Sequence, residues 1–239
     1  MKVIVQSPEQ IAKLAAEQYR ALLGEKPNAV LGLATGSTPL GLYRELARLN
    51  KAGALSFARA TSFNLDEYDG LPAGHAQSYR TFMDENLFSH IDIPIERTYI
   101  PGRADVSDAD GQGYDAAIAR AGGIDLQLLG IGNNGHIGFN EPCTPFGSRT
   151  HLAELTPSTR EANTRFFSSI GEVPTQAITM GIRTVMNARA ILLIALGAAK
   201  AEALRATVSG PVTELVPASV LQLHPNVTIY ADSDAAKLL

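Results

Sequence analysis

Short apolar runs recur along the chain, and most are followed by a stretch with helical spacing. Residues 3–5, 30–34, 60–63, 99–100, 124–129, 190–196 and 227–230 read as strands. Residues 30–34 and 190–196 carry no polar side chain, as parallel strands buried on both faces often do. After the first strand, Ile11, Leu14, Ala15, Leu22 and Leu23 fall on one helical face. Ser7 serves as the N-cap of that helix, Pro8 suits its first position, Gln10 closes a capping box and Gly24 ends it. Further helices fit residues 42–49, 78–89 and 111–121, and residues 197–200 open another. Across residues 151–180 the pattern weakens, broken by Thr156-Pro157, Gly171 and Val173-Pro174, and the segment reads as a helical excursion or lid. The alternation predicts an α/β fold: a mostly parallel sheet covered by helices. Residues 1–239 form one domain in this reading, with the helical lid segment at approximately 151–180.

Four strands run into unusual polar turns, at residues 35–41, 64–68, 130–142 and 197–200. Ligands of open α/β sheets bind outside the carboxyl ends of the strands, so these turns share one rim. The turn at 130–142 packs four glycines, three amides, His136 and Glu141 into thirteen residues. A histidine exchanges a proton near neutral pH, and a carboxylate on one ring nitrogen would orient it. Thr35-Gly36-Ser37-Thr38-Pro39 combines a free backbone, two hydroxyls and a helix N-terminus, which suits a phosphate, but it lacks the lysine of a nucleotide P-loop. Lys200, one turn into the helix after the strongest strand, and Arg165, in the lid segment, are the candidate cations. Asp66, at a strand end, could act as a general base or simply cap a helix. Each motif also has a plain reading, as a tight connection, an N-cap or a solvated lysine. Together they describe proton transfer on a small phosphorylated metabolite.

Composition narrows the partners. The 239 residues are 45% apolar and 18% charged, enough for a sizeable core and too few charges for a disordered chain. A net charge of −4 with scattered lysines and arginines gives no nucleic-acid footprint. Cys143 is the one cysteine, which fits a reducing compartment. The first eight residues lack the apolar core of a signal peptide, and no apolar run is long enough to span a bilayer, so a cytoplasmic protein without membrane contact is expected. The five histidines are far apart in sequence, and no metal-ligand spacing is visible.

The chain resembles the glucosamine-6-phosphate deaminase (isomerase-deaminase) family. The resemblance runs in order through Leu33-Ala-Thr-Gly-Ser-Thr-Pro39, Phe63-Asn-Leu-Asp-Glu-Tyr68, Gly132-Asn-Asn-Gly-His-Ile-Gly-Phe-Asn-Glu-Pro142, Ser148-Arg-Thr150, Ala162-Asn-Thr-Arg-Phe-Phe167 and Leu221-Gln-Leu-His-Pro225. It implies a Rossmann-like fold, a mostly parallel sheet sandwiched by helices, and conversion of glucosamine 6-phosphate and water to fructose 6-phosphate and ammonia, a hydrolase-type deamination in amino-sugar catabolism and N-acetylglucosamine degradation, with no metal or organic cofactor. It makes Asp66 the base that moves a proton between C2 and C1. His136 handles the O5 proton in ring opening, with Asn134 and Glu141 as its partners. Gly36, Ser37, Thr38, Arg165 and Lys200 fall at phosphate-binding positions.

Two departures from the family pattern matter. Asn134 stands where many members have Asp, so the charged-partner role falls to Glu141. Allosteric, hexameric members carry basic residues just after Ser-Arg-Thr, whereas this chain reads His151-Leu-Ala-Glu154 and ends at Leu239. The resemblance therefore implies a short, non-allosteric enzyme with hyperbolic kinetics, expected as a monomer. A 6-phosphogluconolactonase-type hydrolase, with a similar Gly-rich His loop, is the rival enzyme reading. A non-catalytic sugar-phosphate sensor is the rival of another class.

Overall fold

The computed structural model describes residues 1–102, 113–164 and 167–239. The apolar runs pair with one another in parallel: β1 (Lys2–Val5), β10 (Val227–Ala231), β9 (Ile191–Ala195), β6 (Leu126–Leu129), β2 (Val30–Leu33), β3 (Thr61–Asn64) and β5 (Thr98–Tyr99) lie in that order in one sheet. Every residue of β2, β6 and β9 is buried, the signature of strands covered on both faces. From β2 the chain winds outward through β3 to β5, then returns to β6 and winds the other way. The strand order therefore reverses between β2 and β6, which is where an open α/β sheet leaves a crevice at its carboxyl edge.

Local chemistry sets the helix ends. In α1 (Pro8–Glu25) Ser7 is the N-cap and its hydroxyl accepts from the Gln10 N–H at 3.3 Å. The helix passes through Gly24, and its C-cap is Lys26, whose N–H bonds the Leu22 carbonyl. α2 (Leu40–Lys51) starts two residues earlier than the apolar spacing predicts. These helices pack Ile11, Ala15, Tyr19, Leu42, Tyr43 and Leu46 onto the sheet, all nearly inaccessible, each large side chain contributing about 1.5–3 kcal/mol.

Two predicted segments differ from what is found. Residues 64–68, expected as a turn, enter a second sheet: β4 (Asp66–Tyr68) pairs antiparallel with β8 (Gln176–Thr179), which pairs with β7 (His151–Glu154). The 151–180 segment is thus helical only in part. α5 (Pro157–Asn163) is slung between two strands, and Thr156-Pro157, read as an interruption, is its N-cap and first residue. The small sheet has a core of its own, Tyr68, Phe139, Ala153, Leu155 and Ala177, onto which Tyr79 and Phe167 pack. Leu65 joins the two sheets: its N–H bonds the Leu33 carbonyl and its carbonyl accepts from Met180. Asp66 is the next residue, at the seam between them.

Candidate active site

A cavity of about 430 Å³ opens at the carboxyl edge of the parallel sheet, over the reversal point. One end is formed by the turn between β2 and α2. Gly36, Ser37 and Thr38 line it, and the α2 N-terminus behind them has no side-chain cap, which leaves backbone N–H groups for an anion. Lys200 reaches the same cavity from the turn after β9, its ammonium 2.8 Å from Asn133 Oδ1. That turn is held by Asp232, at the end of β10, whose carboxylate accepts the Gly197 N–H at 2.9 and 3.0 Å. Asp232 carries no motif and was not found from sequence. Arg165, the other expected cation, lies outside the described residues.

The loop after β6 brings His136 and Glu141 together, with Nδ1 3.4 Å from Oε2. Gly132 is required here. A Cβ at this position would sit 2.2 Å from the imidazole, so only glycine lets the ring lie against the loop. Asn134 donates to Glu141 Oε2 at 2.7 Å, and its carbonyl accepts the His136 backbone N–H at 3.2 Å. The amide therefore braces the carboxylate and the loop, whereas the family resemblance had made it a partner of the imidazole. Thr159, on α5, donates to the second carboxylate oxygen at 2.7 Å. It was missed because its helix was missed. Burial works to raise the Glu141 pKa, but the His136 ring, with Thr159 and Asn134, outweighs it and holds the group down at about 2.

Asp66 occupies the opposite wall. It is 7% exposed, and its strand position is paired with Thr179. Among the described residues no donor bonds its carboxylate, and burial, with the neighbouring Glu67 charge, pushes its pKa up to about 8. Gly138 lets the His136 loop pass close by: a Cβ there would meet Thr179 Oγ1 at 2.8 Å and Asp66 Oδ2 at 3.5 Å, at a φ of +58°. Helix capping, the plain reading of Asp66, belongs instead to Glu67. Its carboxylate accepts the N–H groups of Tyr68, Tyr79 and Arg80 at 2.8, 2.8 and 2.9 Å, the last two in the first turn of α3 (Tyr79–Asn86). Tyr79 and Phe139, stacked at 6.2 Å between centroids, complete an aromatic wall that sequence reasoning did not anticipate. Among the described residues no three His, Cys, Asp or Glu side chains converge to hold a metal ion.

The motifs at 35–41, 64–68, 130–142 and 197–200 thus meet at one cavity, with an anion cradle at one end and two carboxylates in opposite states beside a histidine. Comparisons with known proteins show the family. A family model described as glucosamine-6-phosphate isomerases/6-phosphogluconolactonase matches residues 6–230. The chain is 53% identical to a glucosamine-6-phosphate deaminase of Geobacillus sp. (strain WCH70), covering 97% of this chain and 92% of that protein. It is 51% identical to one of Hahella chejuensis (strain KCTC 2396), covering 99% and 91%. The solved structure of a monomeric glucosamine-6-phosphate deaminase superimposes with a TM-score of 0.95 at 48% identity over the whole of both chains. A 6-phosphogluconolactonase from Leishmania guyanensis shares the fold, with a TM-score of 0.74 at 21% identity over 99% of this chain and 97% of that one.

Proposed function

The chain belongs to the glucosamine-6-phosphate isomerase and 6-phosphogluconolactonase family, and we propose that it converts glucosamine 6-phosphate and water to fructose 6-phosphate and ammonia. The observation that carries this reading is the pairing of a donor-free buried carboxylate, Asp66, with a His136–Glu141 couple across one cavity. Gly36, Ser37, Thr38, Lys200 and Arg165 take the phosphate. His136, with the ionised Glu141 behind it and Asn134 bracing Glu141, moves the O5 proton that opens the ring.

Asp66 then removes the proton from C2 of the open chain and returns it to C1. Removal leaves a C1–C2 enolamine, return of the proton to C1 turns it into a C2 imine, water adds to C2, and ammonia departs. A carboxyl that titrates near working pH can both accept and give a proton, a contribution of about a hundred- to ten-thousand-fold. Glu141, held ionised, cannot do this and serves as a fixed charge.

We read the whole chain as one catalytic domain with 151–180 as its lid, a monomer acting in amino-sugar catabolism, including N-acetylglucosamine degradation, in the cytoplasm. Among the described residues no helix is long and apolar enough to cross a membrane. Ala153 and Glu154 place no cation on β7, which supports hyperbolic kinetics without an activator. Light scattering at the mass of one chain supports the monomer, and a hexamer contradicts it.

Incubation with glucosamine 6-phosphate tests the function. Ammonia and fructose 6-phosphate in equal amounts are expected. Hydrolysis of a 6-phosphogluconolactone without ammonia release would make the protein a lactonase, and tight binding without turnover would make it a sensor.

A further inference from the structure

Glu141 is gripped on both oxygens, and one grip comes from outside its own loop. Oε2 receives the Asn134 amide and faces His136. Oε1 receives the hydroxyl of Thr159, on α5 and part of the small-sheet region. The Thr159 oxygen lies 2.9 Å from the Thr156 hydroxyl, and the Thr159 N–H is 3.2 Å from that same hydroxyl. An ionised carboxylate only accepts, so the Thr159 proton points at Glu141. The Thr156 proton must then point at Thr159. Both hydroxyls are aligned toward Glu141, one behind the other.

We propose that Thr159 is a positioning residue for ring opening: its hydroxyl, oriented by Thr156, holds the Glu141 carboxylate in register with His136. The inference rests on the function given above. Its physical basis is rotational. Among the described residues Oε1 has no other partner, so without Thr159 the carboxylate turns about its last bond and the 3.4 Å approach of Oε2 to the imidazole becomes one orientation among several. Asn134 holds only Oε2, so a single hydrogen bond would be left to fix the carboxylate. Burial raises the Glu141 pKa, and the Thr159 hydroxyl, after His136, helps lower it, which is consistent with a bond to the ionised form.

The test compares ammonia release by the native enzyme, Thr159→Val, Thr159→Ala and Thr159→Ser. Valine keeps the shape and removes the hydroxyl; serine keeps the hydroxyl. A hydrogen bond to a charged group is worth roughly a tenfold or larger factor in rate. We expect kcat of Thr159→Val to fall about tenfold or more with KM changed less than about twofold. Thr159→Ser should stay within about threefold of native, with thermal midpoints of the folded variants alike. If valine does not fold, alanine is read in the same way. An unaffected valine variant, a loss confined to KM, or serine failing along with valine would overturn the inference. An inactive native enzyme would overturn the function and the inference together, whereas an active native enzyme with an unaffected valine variant overturns the inference alone.

Discussion

Asp66 lines the cavity and Glu141 stands behind the His136 that lines it, and their surroundings drive the two carboxylates in opposite directions. Asp66 stands at the seam of the two sheets with no donor on its oxygens, and its pKa rises to about 8. Glu141 is also partly buried, but a histidine, a hydroxyl and an amide converge on it, and its pKa falls to about 2. Burial raises both; partners decide the outcome. The difference supports the proposed division of labour, in which the unsupported carboxylate carries a proton and the supported one holds charge.

Changes at each carboxylate test this contrast, the largest expected effect first. Asp66→Asn removes the proton carrier and should lower kcat by about a thousandfold or more. It should also stabilise the fold in alkaline solution. The folded pKa of about 8 lies above the unfolded value, so the ionised form is disfavoured in the folded state. That penalty is absent below about pH 4, grows as pH rises, and is complete above the folded pKa. Thermal melts should therefore place Asp66→Asn above native at pH 9 and level with it at pH 4. A variant that melts below native at both values would break the contrast.

Glu141→Gln should cost about a hundredfold in kcat, because an amide cannot balance a protonated imidazole. Its stability effect has the opposite sign. A depressed folded pKa contributes stability that is present above the unfolded value and lost as pH falls toward 2. Glu141→Gln should accordingly melt below native at pH 7. Asn134→Ala should cost less, within about tenfold, since Thr159 and His136 still hold Glu141. Equal or reversed losses for these two variants would sink the assignment of charge to Glu141. Cys143, two residues on, takes a left-handed φ of 75°. Cys143→Gly should stabilise by about 1 kcal/mol in denaturant titration with ammonia release unchanged, showing that this loop stores strain without using it in catalysis.

The same contrast explains what was readable beforehand. The Glu141 wall, apart from Thr159, is built from one loop after a buried strand, so its glycines, amides and histidine announce themselves within thirteen residues. The Asp66 wall depends on strands of three and four residues, β4, β7 and β8, too short to show a period, and on pairing across long stretches of chain. Ser7-Pro8 and Thr156-Pro157 make the point within one signal. Both are an N-cap followed by a first-turn proline. The first leads into Ile11, Leu14 and Ala15 and is recognised as a helix. The second leads into Ser-Thr-Arg-Glu-Ala-Asn, with no apolar stripe, and reads as a break. Thr159 went with it. Nor could the adjacent Asp66 and Glu67 be told apart from order alone: only the position of α3 reveals that Glu67 is the one spent on capping.

Carboxyl ¹³C NMR of the protein labelled at Asp and Glu, titrated from pH 5 to 9.5, measures the contrast without substrate chemistry. The account predicts one aspartate carboxyl titrating near pH 8, absent from Asp66→Asn, while Glu141 stays ionised throughout. An Asp66 resonance already ionised at pH 5, as an ordinary aspartate with a pKa of about 4 would be, would contradict it.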